Sequence, residues 1–336
     1  MTQAILLVGG MGTRLMPLTR NVPKPMLPLA GLPVTEHQLA MAKRAGITSI
    51  VLATSYLSEV FLPYFGDGAR WGMKIQYAVE KQPLGTGGAI RNAAQMLETN
   101  ESIVIFNGDI LSSHDLSAQI AFHESKSADV TLHLTHVEDA RAFGCVPIDS
   151  EGRVTAFLEK MDKPIANTIN AGCYVFHPRV IQDIPAETVV SIEREIFPAL
   201  VEKGRSIYAV IDDSYWIDIG TPSALLRASS DLVSGAADAS ALDGAQVDYR
   251  SKEYISMSGA YIDPSAVITG GSAIGKGAKV MAGAHLDGSI ISEGAVISSG
   301  ASVIKSFVSA GSIVPAGMEL RDDYFANEGV RPLIAT

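Results

Sequence analysis

The loop Gly9-Gly10-Met11-Gly12-Thr13-Arg14-Leu15 follows directly on the apolar run Ala4-Ile5-Leu6-Leu7-Val8. Glycines let backbone N–H groups come close to a phosphate or a base, and such a loop can cradle an anion. Arg14 adds a permanent cation whose forked donors suit phosphate oxygens. Further on, Pro23-Lys24-Pro25 is expected to hold a lysine in a stiff, extended segment. A pinned lysine suits a phosphate under attack, where negative charge builds up. The loop is neither the dinucleotide fingerprint, which needs an acidic residue after the second strand, nor the P-loop pattern. Asp109 closes the run Ser102-Ile103-Val104-Ile105-Phe106-Asn107-Gly108, and Asp218 lies in Trp216-Ile217-Asp218-Ile219-Gly220. An aspartate at a strand end is ordinarily a cap or a turn residue, so these two gain meaning only from their neighbours.

The elements that must position these residues are legible as short apolar runs. Residues 4–8, 49–53, 102–107 and 128–136 read as strands, and 36–46 and 87–98 as helices. Strands alternating with helical stretches indicate an α/β domain with a mainly parallel sheet. Ligands of such sheets bind beyond the carboxyl ends of the strands, where the glycine-rich loop and Asp109 both fall.

Residues 234–248 change character to small, polar and turn-rich, as a linker would. A repeat follows. Ile262, Ile268, Ile274, Val280 and Leu286 recur every six residues. The series slips by one to Ile291, continues at Ile297 and Val303, slips again to Val308, and runs to Val314 and Leu320. Two positions before each aliphatic stands a small residue, from Ala260 to Ser312, until Met318 breaks the rule. A six-residue period is the mark of a parallel β-helix, with the aliphatic pointing inward and the small residue at the tight corner. The expected division is a catalytic domain over 1–233, a linker over 234–258, the repeat over 259–321 and a tail over 322–336.

The first two motifs, with Pro17-Leu18-Thr19 between them, resemble the signature of the sugar-nucleotide pyrophosphorylases. The likeness continues through Pro83-Leu84-Gly85-Thr86-Gly87-Gly88, Asn107-Gly108-Asp109, Phe143-Gly144, Glu159-Lys160, Asn170-Ala171-Gly172 and Trp216-Ile217-Asp218-Ile219-Gly220-Thr221, roughly the first 230 residues. Within the family, Leu7-Val8-Gly9-Gly10, Phe106-Asn107-Gly108-Asp109-Ile110-Leu111 and Phe143-Gly144-Cys145-Val146 are most similar to the mannose-1-phosphate guanylyltransferases. That group often carries a C-terminal left-handed β-helix after its Rossmann-like domain.

The resemblance implies a nucleotidyltransferase that joins GTP to mannose 1-phosphate, giving GDP-mannose and pyrophosphate. A phosphate oxygen of the sugar attacks the α-phosphorus in line, without a covalent enzyme intermediate, so catalysis is positioning and charge neutralisation. By the same resemblance Arg14, Lys24, Asp109 and Asp218 are catalytic, and Asp109 and Asp218 hold Mg²⁺. Leu7, Gly9, Gly10, Gly12, Thr13, Gln82, Gly85 and Thr86 join Arg14 and Lys24 around the nucleotide. Gly144, Glu159, Lys160 and Asn170 take the sugar phosphate. Glu193, Arg194 and Glu195 border the site or form a charged helical face. Two positions depart from the family pattern: Met16 stands where arginine is frequent, and Gln82 where glutamate is frequent. Guanine presents two adjacent donors, and an amide accepts through one atom only. A glucose-1-phosphate thymidylyl-, uridylyl- or adenylyltransferase is the alternative, and a non-catalytic regulatory homologue the third reading.

Composition is consistent with this. The chain has 336 residues, of which 47% are hydrophobic, enough for a sizeable core, and a formal net charge of −10. No basic stripe stands out, against a nucleic-acid partner. Two cysteines, Cys145 and Cys173, make no disulfide scaffold and suit a reducing compartment. The N-terminal apolar run is too short for a signal peptide, and no stretch reaches the ~18 apolar residues of a membrane span. A cytoplasmic protein is expected. The open ends of a β-helix favour packing on another surface, so a homo-oligomer is expected too. The seven histidines show no metal-ligand spacing, and His133 and His136 are expected to be packed or exposed.

Overall fold

The computed structural model describes residues 2–10, 12–55, 58–98, 101–159 and 162–333. Its contacts fall into two units, Met1–Gly10 with Met41–Trp216, and Met11–Ala40 with Ile217–Thr336. The second unit thus takes residues 11–40 from the segment read as catalytic. Its own packing shows why. The short hairpin Pro28–Leu29 and Leu32–Pro33 packs on the helix Pro222–Ser234. There the Ala30 N–H donates to Ser229 Oγ at 2.9 Å. Gly31 lies so close to Met257 that an added Cβ would sit 2.5 Å from its side chain.

The first unit is built on a nine-stranded sheet. Its path runs Leu158–Glu159, Gly144–Cys145, Thr168–Phe176, Ile103–Asn107, Gln3–Leu7, Ser49–Thr54, Lys74–Val79, with Val130–His136 and Ile207–Ile211 continuing from Thr168–Phe176. Gln3–Leu7 pairs in parallel with both neighbours, Ile5 lying between Val51 and Ile105. The apolar runs are continuous because these strands are buried on both faces; Ile5, Val51, Ile105 and Leu132 are all fully buried. The expected strands and helices are present with shifted ends, the helices as Val34–Arg44 and Gly85–Ala94. Five strands went unforeseen: Lys74–Val79, Gly144–Cys145, Leu158–Glu159, Thr168–Phe176 and Ile207–Ile211. Thr168–Phe176 runs antiparallel to both Ile103–Asn107 and Val130–His136, and its register shifts between Asn170 and Tyr174. The sheet is therefore parallel-rich, with Thr168–Phe176 reversed among its inner strands and the short Leu158–Glu159 reversed at its edge. Both cysteines are free and buried.

In the second unit, residues 254–326 wind into a β-helix whose three faces are parallel ladders, headed by Tyr254–Met257, Tyr261–Ile262 and Val267–Thr269. All eleven aliphatics read from the repeat line or pack against its core. The two slips have a physical cause. Gly271, Gly288, Lys305 and Asp322 occupy the same corner, all with positive φ (74°, 53°, 46° and 54°). In the first coil this corner is the pair Gly270-Gly271; in later coils it is a single residue, so the side shortens from six residues to five. The rhythm runs past Leu320 to Phe325, which is also inward. The small residues divide by role. Ala278, Ala284, Ala295 and Ala301 simply fill the interior, whereas serines on one face form a ladder. Ser272 Oγ accepts the Ser289 N–H at 3.2 Å, Ser289 Oγ accepts that of Ser306 at 3.1 Å, and Ser306 Oγ that of Asp323 at 3.1 Å. Among the described residues no helix is long and apolar enough to cross a membrane.

Candidate active site

In the first unit the carboxyl ends of the central strands are knitted together. The Gly108 N–H donates to the Leu7 carbonyl at 3.0 Å. A Cβ on Gly108 would fall onto that carbonyl, so only glycine lets the two strand ends close. Asp109 follows at once, half-buried at the sheet's carboxyl edge. Beside it the exposed Gly9 and Gly10 turn past Ser55, whose Oγ accepts the Gly10 N–H at 3.4 Å.

The expected base-reading loop carries a carboxylate that sequence reading passed over. Glu80 Oε2 accepts the Leu84 N–H at 3.2 Å and brackets the loop that exposes Gln82. Burial raises the Glu80 pKa, and the bond from Leu84 opposes that shift. After the loop, Thr86 Oγ1 donates to Glu193 Oε2 at 2.9 Å and accepts the Ile192 N–H at 2.9 Å. Glu193 lies in Ile192–Ile196, a single π-helical turn, a form that recurs at functional sites. Of the three charged residues there, Glu193 is the one bonded to Thr86. Glu195 instead accepts the Ser191 N–H at 2.8 Å, and Arg194 is exposed.

The residues expected on the sugar side form one ladder. Gly144 is the register partner of Glu159, and its neighbour Cys145 pairs with Ile169, the residue before Asn170. Three motifs far apart in sequence thus meet on adjacent strands. Lys160 lies outside the described residues. Trp216, unassigned from sequence, donates from Nε1 to the Ala171 carbonyl at 2.9 Å and meets Phe143 edge-on at 5.7 Å. Its signal was available: a tryptophan beside a site aspartate, able to wall a pocket and still find a partner.

In the second unit two cationic side chains, Arg14 and Lys24, stand near Asp218. Thr13–Leu15 is a 3-10 turn begun by Gly12 in the left-handed conformation, and Thr13 and Arg14 are exposed. Thr19 Oγ1 donates to the Gly12 carbonyl at 2.9 Å. Lys24 is not extended, as its Pro-Lys-Pro setting implied. Pro23 is extended, and Lys24 opens a 3-10 turn, Lys24–Met26, closed by Met26 N–H to Pro23 O at 2.8 Å. Pro25 lacks an N–H and fits the first turn of a helix, where none is needed. The Lys24 ammonium stands 3.8 Å from Asp218 Oδ1, with the side chains 11% and 26% exposed. Gly220 explains the glycine in its motif. A Cβ there would lie 3.0 Å from Asp218 Oδ1 and 3.1 Å from both terminal nitrogens of Arg14. The missing Cβ makes the room that this guanidinium and carboxylate occupy. Among the described residues no three imidazole, thiol or carboxylate groups gather as a metal cluster.

The profile of the nucleotidyl transferase family matches residues 3–235. Over 286 residues, 85% of this chain and 78% of the relative, the sequence is 50% identical to a mannose-1-phosphate guanylyltransferase of Mycobacterium tuberculosis. It is 36% identical to mannose-1-phosphate guanyltransferase beta-A of Xenopus laevis over 227 residues, 67% of this chain and 62% of that one. A Bacillus anthracis crystal structure described as a glucose-1-phosphate thymidylyltransferase superposes with a TM-score of 0.63 at 23% identity, over 68% of this chain and 94% of that one, a likeness of fold. This chain belongs to the nucleotidyl transferase family.

Proposed function

We propose that the protein converts GTP and mannose 1-phosphate to GDP-mannose and pyrophosphate. The observation that carries this reading is the full order of motifs from Gly9 to Thr221 in a chain half identical to a protein named for that reaction. A phosphate oxygen of the sugar forms the new bond to the α-phosphorus, and the bond to the leaving pyrophosphate breaks on the opposite side. Arg14 and Lys24 offset the charge that grows on the α-phosphate and the departing pyrophosphate. Gly12, Thr13, Gly9, Gly10, Gly85 and Thr86 frame the nucleotide with backbone N–H and hydroxyl groups. Gly144, Glu159 and Asn170 hold the sugar, and Lys160 its phosphate. Asp109 and Asp218 offer the hard oxygens that Mg²⁺ prefers, and the ion when bound supplies neutralising charge to the phosphates. Guanine fits this reading because Glu80, two residues before Gln82, supplies a carboxylate able to accept both guanine donors. A homo-oligomer belongs to the same reading. Tyr261, Val267 and Ile313 stand about half exposed on the outer faces of the coil.

Pyrophosphate release by purified protein, measured for GTP, dTTP, UTP and ATP with mannose and glucose 1-phosphates, tests it. The highest kcat/KM is expected for GTP with mannose 1-phosphate. A higher value for dTTP or UTP with glucose 1-phosphate would overturn the substrate pair. Light scattering of the same preparation should give a mass above the 35.5 kDa of one chain.

A further inference from the structure

Asn170 and Tyr174 lie four residues apart on one strand. In regular strand geometry that is about 13 Å of chain, too far for their side chains to bond. Here Asn170 Nδ2 donates to Tyr174 Oη at 2.7 Å. The cause is the break in register between them, where Gly172 takes φ 77°. A Cβ at Gly172 would meet Ile110 at 2.9 Å and Asn107 at 3.1 Å. The bulge is therefore held by a residue that only glycine can supply, and bulges re-aim side chains beside active sites.

The other end of the bond is equally fixed. Tyr174 is fully buried, its ring packed edge-on against Phe197 at 5.1 Å and Phe176 at 6.3 Å. Its hydroxyl accepts a second, longer bond from Asn107 Nδ2 at 3.4 Å and donates a long bond of 3.5 Å to Glu193 Oε1. Glu193 is itself held by Thr86 and Ser191. Burial and the Glu193 carboxylate both raise the Tyr174 pKa well above 10, so the hydroxyl keeps its proton. Asn170 has its Oδ1 engaged by the Gly172 N–H at 3.1 Å. With both ends of the amide tied, its remaining N–H and lone pair point in one set direction.

We propose that Tyr174 is a positioning residue for sugar recognition: its buried hydroxyl fixes the Asn170 amide in the orientation that meets the sugar phosphate. This rests on the function proposed above, which places Asn170 in the sugar pocket. Tyr174 touches no substrate and acts only through Asn170. A buried hydroxyl of this kind is invisible to sequence reading, because a tyrosine in an apolar strand looks like core.

The test is steady-state kinetics of Tyr174→Phe, Asn170→Ala and the double variant, in the full chain. Phenylalanine keeps the ring contacts, so the fold should persist. Tyr174→Phe is expected to raise KM for the sugar phosphate about tenfold, as loss of one directing hydrogen bond does, and to leave KM for the nucleotide within about twofold. In the Asn170→Ala background the same change should have no further effect. Equal shifts in both KM values, or effects that multiply in the double variant, would overturn the proposal. Side-chain amide resonances, with Asn170 assigned by its loss in Asn170→Ala, provide a readout without turnover. The Asn170 pair should shift in Tyr174→Phe, and an unchanged pair would likewise overturn it. Preference of the wild type for another sugar phosphate would refute only the substrate pair, and the same ratios are then read with that sugar.

Discussion

The central sheet of the first unit and the β-helix of the second treat irregularity in opposite ways. In the β-helix each departure recurs: the left-handed corner returns at Gly271, Gly288, Lys305 and Asp322, and the serine bond at intervals of 17 residues. In the first unit three departures occur once each, beside a residue expected to take part in the chemistry. The bulge separates Asn170 from Tyr174, the π-turn presents Glu193, and Gly108 lets Asp109 follow its strand. A repeated irregularity is a solution to packing, and an unrepeated one is maintained for something else.

The largest effect should come from the unrepeated features. Asp109→Asn or Asp218→Asn is expected to lower kcat at least ~10²-fold, comparable to loss of a key electrostatic group, with melting temperature nearly unchanged. Near-normal turnover at limiting Mg²⁺ in either variant would remove that aspartate from the site. The β-helix should behave conversely. Val303→Ala empties an inward position that is fully buried and should cost about 2–3 kcal/mol in denaturant unfolding. At a temperature where the variant is folded, its kcat/KM should stay within about twofold; a large loss there would tie the repeat to the reaction and break the comparison.

Acid provides the most discriminating test. His114 and His123 in the first unit are buried, and burial lowers their pKa values to about 3 and about 4; His133, stacked on His114 at 3.8 Å, is lowered by burial as well. Each is neutral when folded and gains a proton near pH 6.5 when unfolded. The stability they confer is thus present above about pH 6.5 and is lost as pH falls from there toward the folded values, by up to about 1.4 kcal/mol per pH unit for each. The β-helix holds one histidine, the exposed His285. Hydrogen exchange at pH 5 should therefore show strands Val130–His136 and Thr168–Phe176 losing protection before the coil around Val303. The reverse order would show that the histidines do not set acid stability.

How much of this was legible in the sequence follows from the same contrast. The aliphatic rhythm located eleven inward residues of the coil, stopping one short of Phe325, because each position sees the same surroundings. The motif residues located the strand ends and the ladder of Gly144, Glu159 and Asn170. Two things were not legible. The reversed strand Thr168–Phe176 depends on which neighbours it meets, which its apolar composition does not encode. The polar partners Glu80 and Tyr174 have no period, and a buried hydroxyl or a carboxylate tied to a loop N–H shows its role only once its partner is in place. Lys24 failed for a related reason: the prolines around it fixed their own φ angles, while the turn's backbone bonds decided the lysine.

The serine ladder has a consequence for inheritance. Each serine hydroxyl receives the amide of the coil that follows, so any coil can stand in for the next. Loss of residues 289–305 would bring the Ser306 amide to the Ser272 hydroxyl and leave every later aliphatic in phase, whereas loss of one residue fewer would turn them all toward water. The length of this part of the gene is therefore quantised: duplication or deletion can change it by whole coils, and selection removes the fractions.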